Sequence, residues 1–247
     1  MRPYALLMLL GAGACIGLFV GLTFKRHKGK YDENIFALEM LFIAMAAAVP
    51  AAMVVDTLFH IPDRGGFVLG GATFYGGLLC ALVIWPLLLL IKKKRTVSIY
   101  QRLCDIAPGI PLGHMFGRIG CFFDGCCFGA PTSGPFGVVF PEGSHPYEFY
   151  GGPVAIHPTQ LYEAFALLLI FVIILLLGKK NGFPLYFILY GIARFTIECF
   201  RADSRGSLFG LPLSPAQLIS VVLILLGECL WLARIVREYQ SLRRKSG

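Results

Sequence analysis

Seven stretches of this chain are each apolar enough and long enough to cross a lipid bilayer as a helix. They run Tyr4–Phe24, Ile35–His60, Phe67–Ile91, Leu103–Phe123, Thr159–Leu177, Phe183–Phe200 and Ser214–Ile235. A hydrocarbon core about 30 Å thick needs roughly 20 residues of helix, so each run is of spanning length. Composition agrees: 57% of the 247 residues are apolar and the mean hydropathy is +0.73, beyond the range of an ordinary soluble domain. Lipid offers no partner to a backbone amide, so only helices and closed barrels cross it, and the runs lack the period-two alternation of a barrel strand. The expected fold is all-α: one polytopic domain over residues 1–247 with about seven transmembrane helices. The Gly- and Pro-rich residues 129–156 are its one long connection.

Charge sets the orientation. The net charge of +8 is carried by basic residues grouped beside the apolar runs rather than interleaved with aromatic ones, which argues against nucleic acid as a partner. With the amino terminus outside, Lys25, Arg26, Lys28 and Lys30 lie inside. So do Lys92, Lys93, Lys94, Arg95, Arg102, Lys179, Lys180, Arg234, Arg237, Arg243, Arg244 and Lys245. Only Arg2, Arg64, Arg201 and Arg205 then lie outside, and the positive-inside rule selects this arrangement, with a cytoplasmic carboxy terminus. The first run is no secretory signal: it is too long, and its basic block follows instead of preceding it.

Ionisable residues within spans are costly, by about 2.5 to 3.5 kcal/mol on insertion scales, so each is a functional candidate. In the sixth run Tyr190, Arg194, Glu198 and Arg201 follow one another at intervals of four, four and three, which puts them in a stripe roughly 80° wide on one helix face. An Arg194–Glu198 pair alone could serve as helix-to-helix glue. Two arginines and an acid on one stripe suit a phosphate better, because guanidinium presents a planar fork of donors.

The fourth run ends in Gly117-Arg118-Ile119-Gly120-Cys121-Phe122-Phe123-Asp124-Gly125-Cys126-Cys127-Phe128-Gly129. Four glycines there predict a bent, tightly packed segment presenting Arg118. The alternative is an arginine snorkelling to the interface. The fifth run opens His157-Pro158-Thr159-Gln160-Leu161-Tyr162-Glu163. Proline there is a helix-start signal, with His157 a possible cap, and Gln160 and Glu163 share a face. Tyr75 precedes Gly76 and Gly77 in the outer part of the third run. In the chosen orientation these groups, from four runs, all lie in the outer half of the membrane, as expected of a cavity for a phospholipid head group with groups able to handle a proton.

Of the eight cysteines, Cys15, Cys80, Cys104, Cys199 and Cys229 are scattered, as small apolar fillers are, whereas Cys121, Cys126 and Cys127 cluster. Their spacing is not that of a C-x-x-C pair, so the sequence gives no metal site, and a disulfide is open to them on the outer side.

Three motifs, Gly117 to Gly129, His157 to Glu163 and Tyr190 to Arg201, resemble those of the prolipoprotein diacylglyceryl transferases of bacterial inner membranes. The resemblance runs from about Gly70 to Gln217, in order and spacing. It implies a single transmembrane transferase domain that moves the diacylglyceryl group of phosphatidylglycerol onto the lipobox cysteine of preprolipoprotein signal peptides. A thioether forms, glycerol phosphate leaves, and no cofactor takes part. The resemblance gives Arg118, Arg194, Tyr190 and Glu198 as catalytic, with Gly76, Gly77 and Gly129 as motif glycines. Beside these, Arg201, His157, Gln160 and Glu163 are candidates for binding substrate and membrane lipid. Three departures mark the chain. Tyr75 stands where family members carry a histidine proposed as the base, Cys121 where an asparagine is expected, and Cys126 where a glutamate is expected. The proton acceptor is then Tyr75, His157 or Glu163, or else the chain is a paralogue with another acceptor. A transporter or flippase, the reading from a different class, predicts an internal repeat with interrupted spans. No counterpart of the Arg118 motif occurs elsewhere in the chain.

Overall fold

The computed structural model describes residues 3–59, 74–94, 96–202 and 213–246. The helices are α1 (Pro3–Arg26), α2 (Tyr31–Phe59), α3 (Phe74–Leu89), α4 (Ile99–Ile106), α5 (Gly109–Asp124), α6 (His145–Tyr150), α7 (Thr159–Leu177), α8 (Gly182–Glu198) and α9 (Pro215–Ser246). Among the described residues, α1, α7, α9 and residues 31–54 of α2 are long and apolar enough to cross a membrane. The protein is an all-α, multi-pass membrane protein.

The fourth apolar run is not one helix. It breaks at Ala107-Pro108 into α4 and α5, because the α conformation is disfavoured before a proline and proline has no amide to continue the ladder. The connection at 129–156 carries secondary structure of its own. It holds α6 and a two-stranded antiparallel sheet, β1 (Val138–Val139) with β2 (Ala155–Ile156), in which Val138 faces Ile156 and Val139 faces Ala155.

The chain forms two compact units, residues 20–102 and residues 1–19 with 103–247. In the first, α2 and α3 pack closely, Trp85 Nε1 donating to the Ala37 carbonyl at 3.0 Å. Glu33 closes the turn after α3 by accepting from the amides of Thr96 and Val97.

In the second unit small residues set the packing, since apolar burial itself drives little association between helices in lipid. Gly109, Gly113, Gly117 and Gly120 line the side of α5 against the first half of α1, approaching Cys15, Gly11, Met8 and Tyr4. This confirms the tight packing expected of the glycine-rich segment and corrects its shape. α5 runs on as a helix to Asp124, and the turn comes at Gly125, whose φ of 72° is left-handed. Gly191 of α8 and Gly227 of α9 do the same for that pair. A Cβ on Gly191 would lie 2.8 Å from the Ser220 carbonyl, and one on Gly227 2.8 Å from that of Pro184. Between these pairs, α7 packs against both α5 and α8.

Candidate active site

Glu163, one turn into α7 and 1% exposed, is the hub of a buried polar cluster. Its Oε1 accepts from Tyr190 Oη at 2.9 Å and pairs with Arg118 Nη2 at 3.1 Å. Its Oε2 accepts from Arg194 Nη1 at 3.3 Å. The other arm of Arg194 reaches Glu198 Oε2 at 2.8 Å one turn on, and Glu198 Oε1 accepts from Ser214 Oγ at 3.0 Å. Arg201 Nε lies 3.9 Å from Glu198 Oε2. Three guanidiniums thus meet two carboxylates, leaving this group of five with one positive charge in excess. Burying any of them alone would be strongly unfavourable; the mutual hydrogen bonds make the cluster possible and fix its geometry.

The spacing explains the convergence. Tyr190, Arg194 and Glu198 share one face of α8, all buried. Arg194 is therefore more than one end of an i,i+4 pair, because it also bridges to α7. Arg118 is 7% exposed and turns inward to Glu163, so it is no snorkelling charge. Arg201 lies past the end of α8, where it pairs with Gly129 in a short antiparallel bridge. The stripe expected to hold four residues holds three, and the chain turn after Glu198 brings in the fourth.

Gly129 has a steric reason to be glycine. A Cβ there would lie 2.5 Å from the His157 carbonyl oxygen and 2.7 Å from that of Phe200. Its amide donates to His157 O at 3.0 Å, while Ala130 donates to Phe200 O at 2.9 Å. His157 does not cap α7. Its Nδ1 is 3.1 Å from Tyr162 Oη and its ring packs edge-on against Phe200. Gln160 is equally occupied, donating from Nε2 to the Cys126 carbonyl at 2.6 Å. His157 and Gln160 thus support the loops around the cluster, whereas Glu163 forms its centre.

One member was not foreseen from the sequence. His114 is buried on α5, one turn before Arg118, and its Nε2 accepts from Arg118 Nε at 3.2 Å. That bond leaves the ring proton on Nδ1, because guanidinium can only donate. Nε2 is also 3.8 Å from Glu163 Oε1, and the ring meets Tyr190 edge-on at 5.3 Å. The signal was available: a titratable residue inside a span, four positions from an arginine. Tyr75, Gly76 and Gly77 belong to the other compact unit, in the first turn of α3. The side chain of Tyr75 lies outside the described structure, as do Arg64 and Arg205.

Beside the arginines, the thiols of Cys121, Cys126 and Cys127 lie within 4.8 Å of one another. Hydrogen bonds from Cys121 and Cys126, with the fields of Arg201 and Arg118, hold the Cys127 thiol below its ordinary range.

A family model described as prolipoprotein diacylglyceryl transferase matches residues 1–233. The chain belongs to the prolipoprotein diacylglyceryl transferase family. It is an enzyme, a transferase. Among its relatives, the phosphatidylglycerol–prolipoprotein diacylglyceryl transferase of Clostridium tetani is 34% identical over 90% of this chain and 91% of its own. The second such enzyme of Clostridium perfringens is 36% identical over 94% and 91%. That of Wolbachia pipientis from Culex pipiens is 35% identical over 84% and 80%. No solved structure matches the chain significantly.

Proposed function

We propose that this protein transfers the diacylglyceryl group of phosphatidylglycerol to the lipobox cysteine of preprolipoproteins in the bacterial inner membrane. The observation that carries the reading is the buried cluster of Arg118, Arg194, Arg201, Glu163 and Glu198, with its one excess positive charge. A dry site with that balance is built to accept a phosphate anion.

The acceptor thiol is a weak nucleophile until it loses its proton, with an ordinary pKa near 8.5. The thiolate attacks the glycerol carbon that bears the phosphate ester. A C–S bond forms, the C–O bond breaks, and glycerol phosphate departs with the electron pair. Arg118 and Arg194 bind the phosphate and balance the charge gathering on it. Glu163 holds the two guanidiniums in register meanwhile, and Tyr190 steadies that carboxylate. Glu198 and Arg201 complete the rim, Gly129 lets the backbone at Phe200 and His157 approach closely beside it, and Gly76 and Gly77 enter as motif glycines of the family pattern.

Two groups compete for the thiol proton: Tyr75, by its place in the family pattern, and His114, whose Nε2 becomes an acceptor once Arg118 turns from it to the phosphate. The paralogue reading rests on Cys121 and Cys126, which replace expected polar residues beside Arg118. The test is transfer of labelled diacylglyceryl from phosphatidylglycerol to a lipobox peptide by purified protein. Thioether product is expected. It should vanish with Cys→Ala in the peptide and with Arg194→Ala in the enzyme. Folded protein in saturating lipid that yields no product would overturn the lipobox acceptor.

A further inference from the structure

We propose that Cys121, Cys126 and Cys127 form a three-thiolate site for a thiophilic d10 cation such as zinc or monovalent copper. Metal–thiolate bonds of about 2.3 Å place ligand sulfurs about 3.8 Å apart around a tetrahedral ion and about 4.0 Å apart around a trigonal one. The three Sγ atoms, within 4.8 Å of one another, need shifts of only about 1 Å or less to reach either geometry. Soft thiolate donors select this class of ion over the hard cations.

The backbone supplies an independent observation. Cys127, with φ of 61°, is the only non-glycine residue with positive φ among those described. A side chain is rarely held that way, and such conformations persist only where their surroundings enforce them. Here two buried side chains of α7 do so: Thr159 Oγ1 donates to the Cys127 carbonyl at 2.8 Å, and Gln160 Nε2 to the Cys126 carbonyl at 2.6 Å. With Gly125 also left-handed, the chain leaves α5 in a tight turn that returns two thiols to the third. Apolar filling does not need that backbone. The scattered cysteines, by contrast, belong to no such described cluster.

Ligation would exchange thiol protons for the ion and release them to solvent. The ion would tie the end of α5, which carries Arg118, to the loop leading to Gly129. It takes no part in the transfer, so the proposal stands apart from the reaction assigned above.

The test uses the reduced, full-length chain in detergent with Cd²⁺ as probe. One tightly held equivalent is expected, with an ultraviolet thiolate-to-cadmium charge-transfer band. The count of maleimide-reactive cysteines should fall by three, a measurement on the unaltered protein that needs no variant to fold. The C121S/C126S variant should lose both signals, and the C199S/C229S variant should keep them. An unchanged thiol count would overturn the proposal. So would an equal band in C121S/C126S, or a disulfide among these cysteines whose reduction restores no metal binding.

Discussion

At the scale of single residues, Glu163 decides the most, because two arginines and a tyrosine converge on one carboxylate. Replacing it with glutamine keeps the size and removes the buried negative charge on which Arg118 and Arg194 converge. Breaking a buried pair in this way costs about 3–5 kcal/mol. Glu163→Gln is therefore expected to lower the thermal midpoint in detergent by several degrees and transfer by at least about 100-fold, since misplaced guanidiniums no longer meet the phosphate. Near-normal turnover in the labelled-lipid assay would remove Glu163 from the centre. His114→Gln is a finer probe, because the amide oxygen can still accept from Arg118 Nε but cannot take a proton. If His114 is the proton acceptor, kcat should fall by about 10²- to 10⁴-fold with stability intact. A loss below about threefold would mean that it only positions Arg118, and Tyr75→Phe would then be the decisive variant. Arg118, Arg194, Tyr190, Glu163 and Glu198 were legible in the sequence because charge inside a membrane is rare and the spacing aligned them. His157 and Gln160 were legible as polar but not in their roles, since which carbonyl a side chain caps depends on loops with no periodic pattern.

At the scale of elements, glycines set how near the site-bearing helices approach. Gly191 and Gly227 face opposite helices of one pair, and any added Cβ meets a backbone carbonyl that cannot move aside. Gly227→Val should cost about 1–3 kcal/mol by overpacking, read as a lower thermal midpoint, with kcat per folded molecule within about threefold of the wild type because it touches α8 near Pro184 and Ile188. Gly191→Val lies one turn from Arg194 and should depress both stability and kcat. Equal effects from the two would mean that the α8–α9 contact does not position Arg194. The hydropathy runs located most helices, and Thr159–Leu177 was read at both ends because proline and glycine bracket it. They missed the break at Pro108, where hydropathy stays high while the backbone is interrupted, and they missed β1 and β2, whose two residues each are too few for alternation to register.

At the scale of the molecule, four described helices are of spanning length, whereas the apolar runs number seven, and the difference is open to direct test. α3, α5 and α8, at 16, 16 and 17 residues, fall just short of the roughly 20 that a perpendicular crossing requires. A shorter helix still crosses where the bilayer thins or flanking residues snorkel, at a cost of fractions of a kcal/mol per ångström, which is small beside the cost of leaving its apolar surface in water. With seven crossings and the amino terminus outside, alkaline phosphatase fused after Glu142 should be active. Fusions after Lys94, after Lys180 and at the carboxy terminus should be inactive, since that enzyme matures only when exported. If the four long helices alone crossed, Lys94 and the carboxy terminus would both lie outside and their fusions would be active. The basic blocks argue for the first pattern: Lys92, Lys93 and Lys94 follow the third run, and Arg234, Arg237, Arg243 and Arg244 follow the core of the last, so four crossings would strand both groups on the side that the positive-inside rule disfavours.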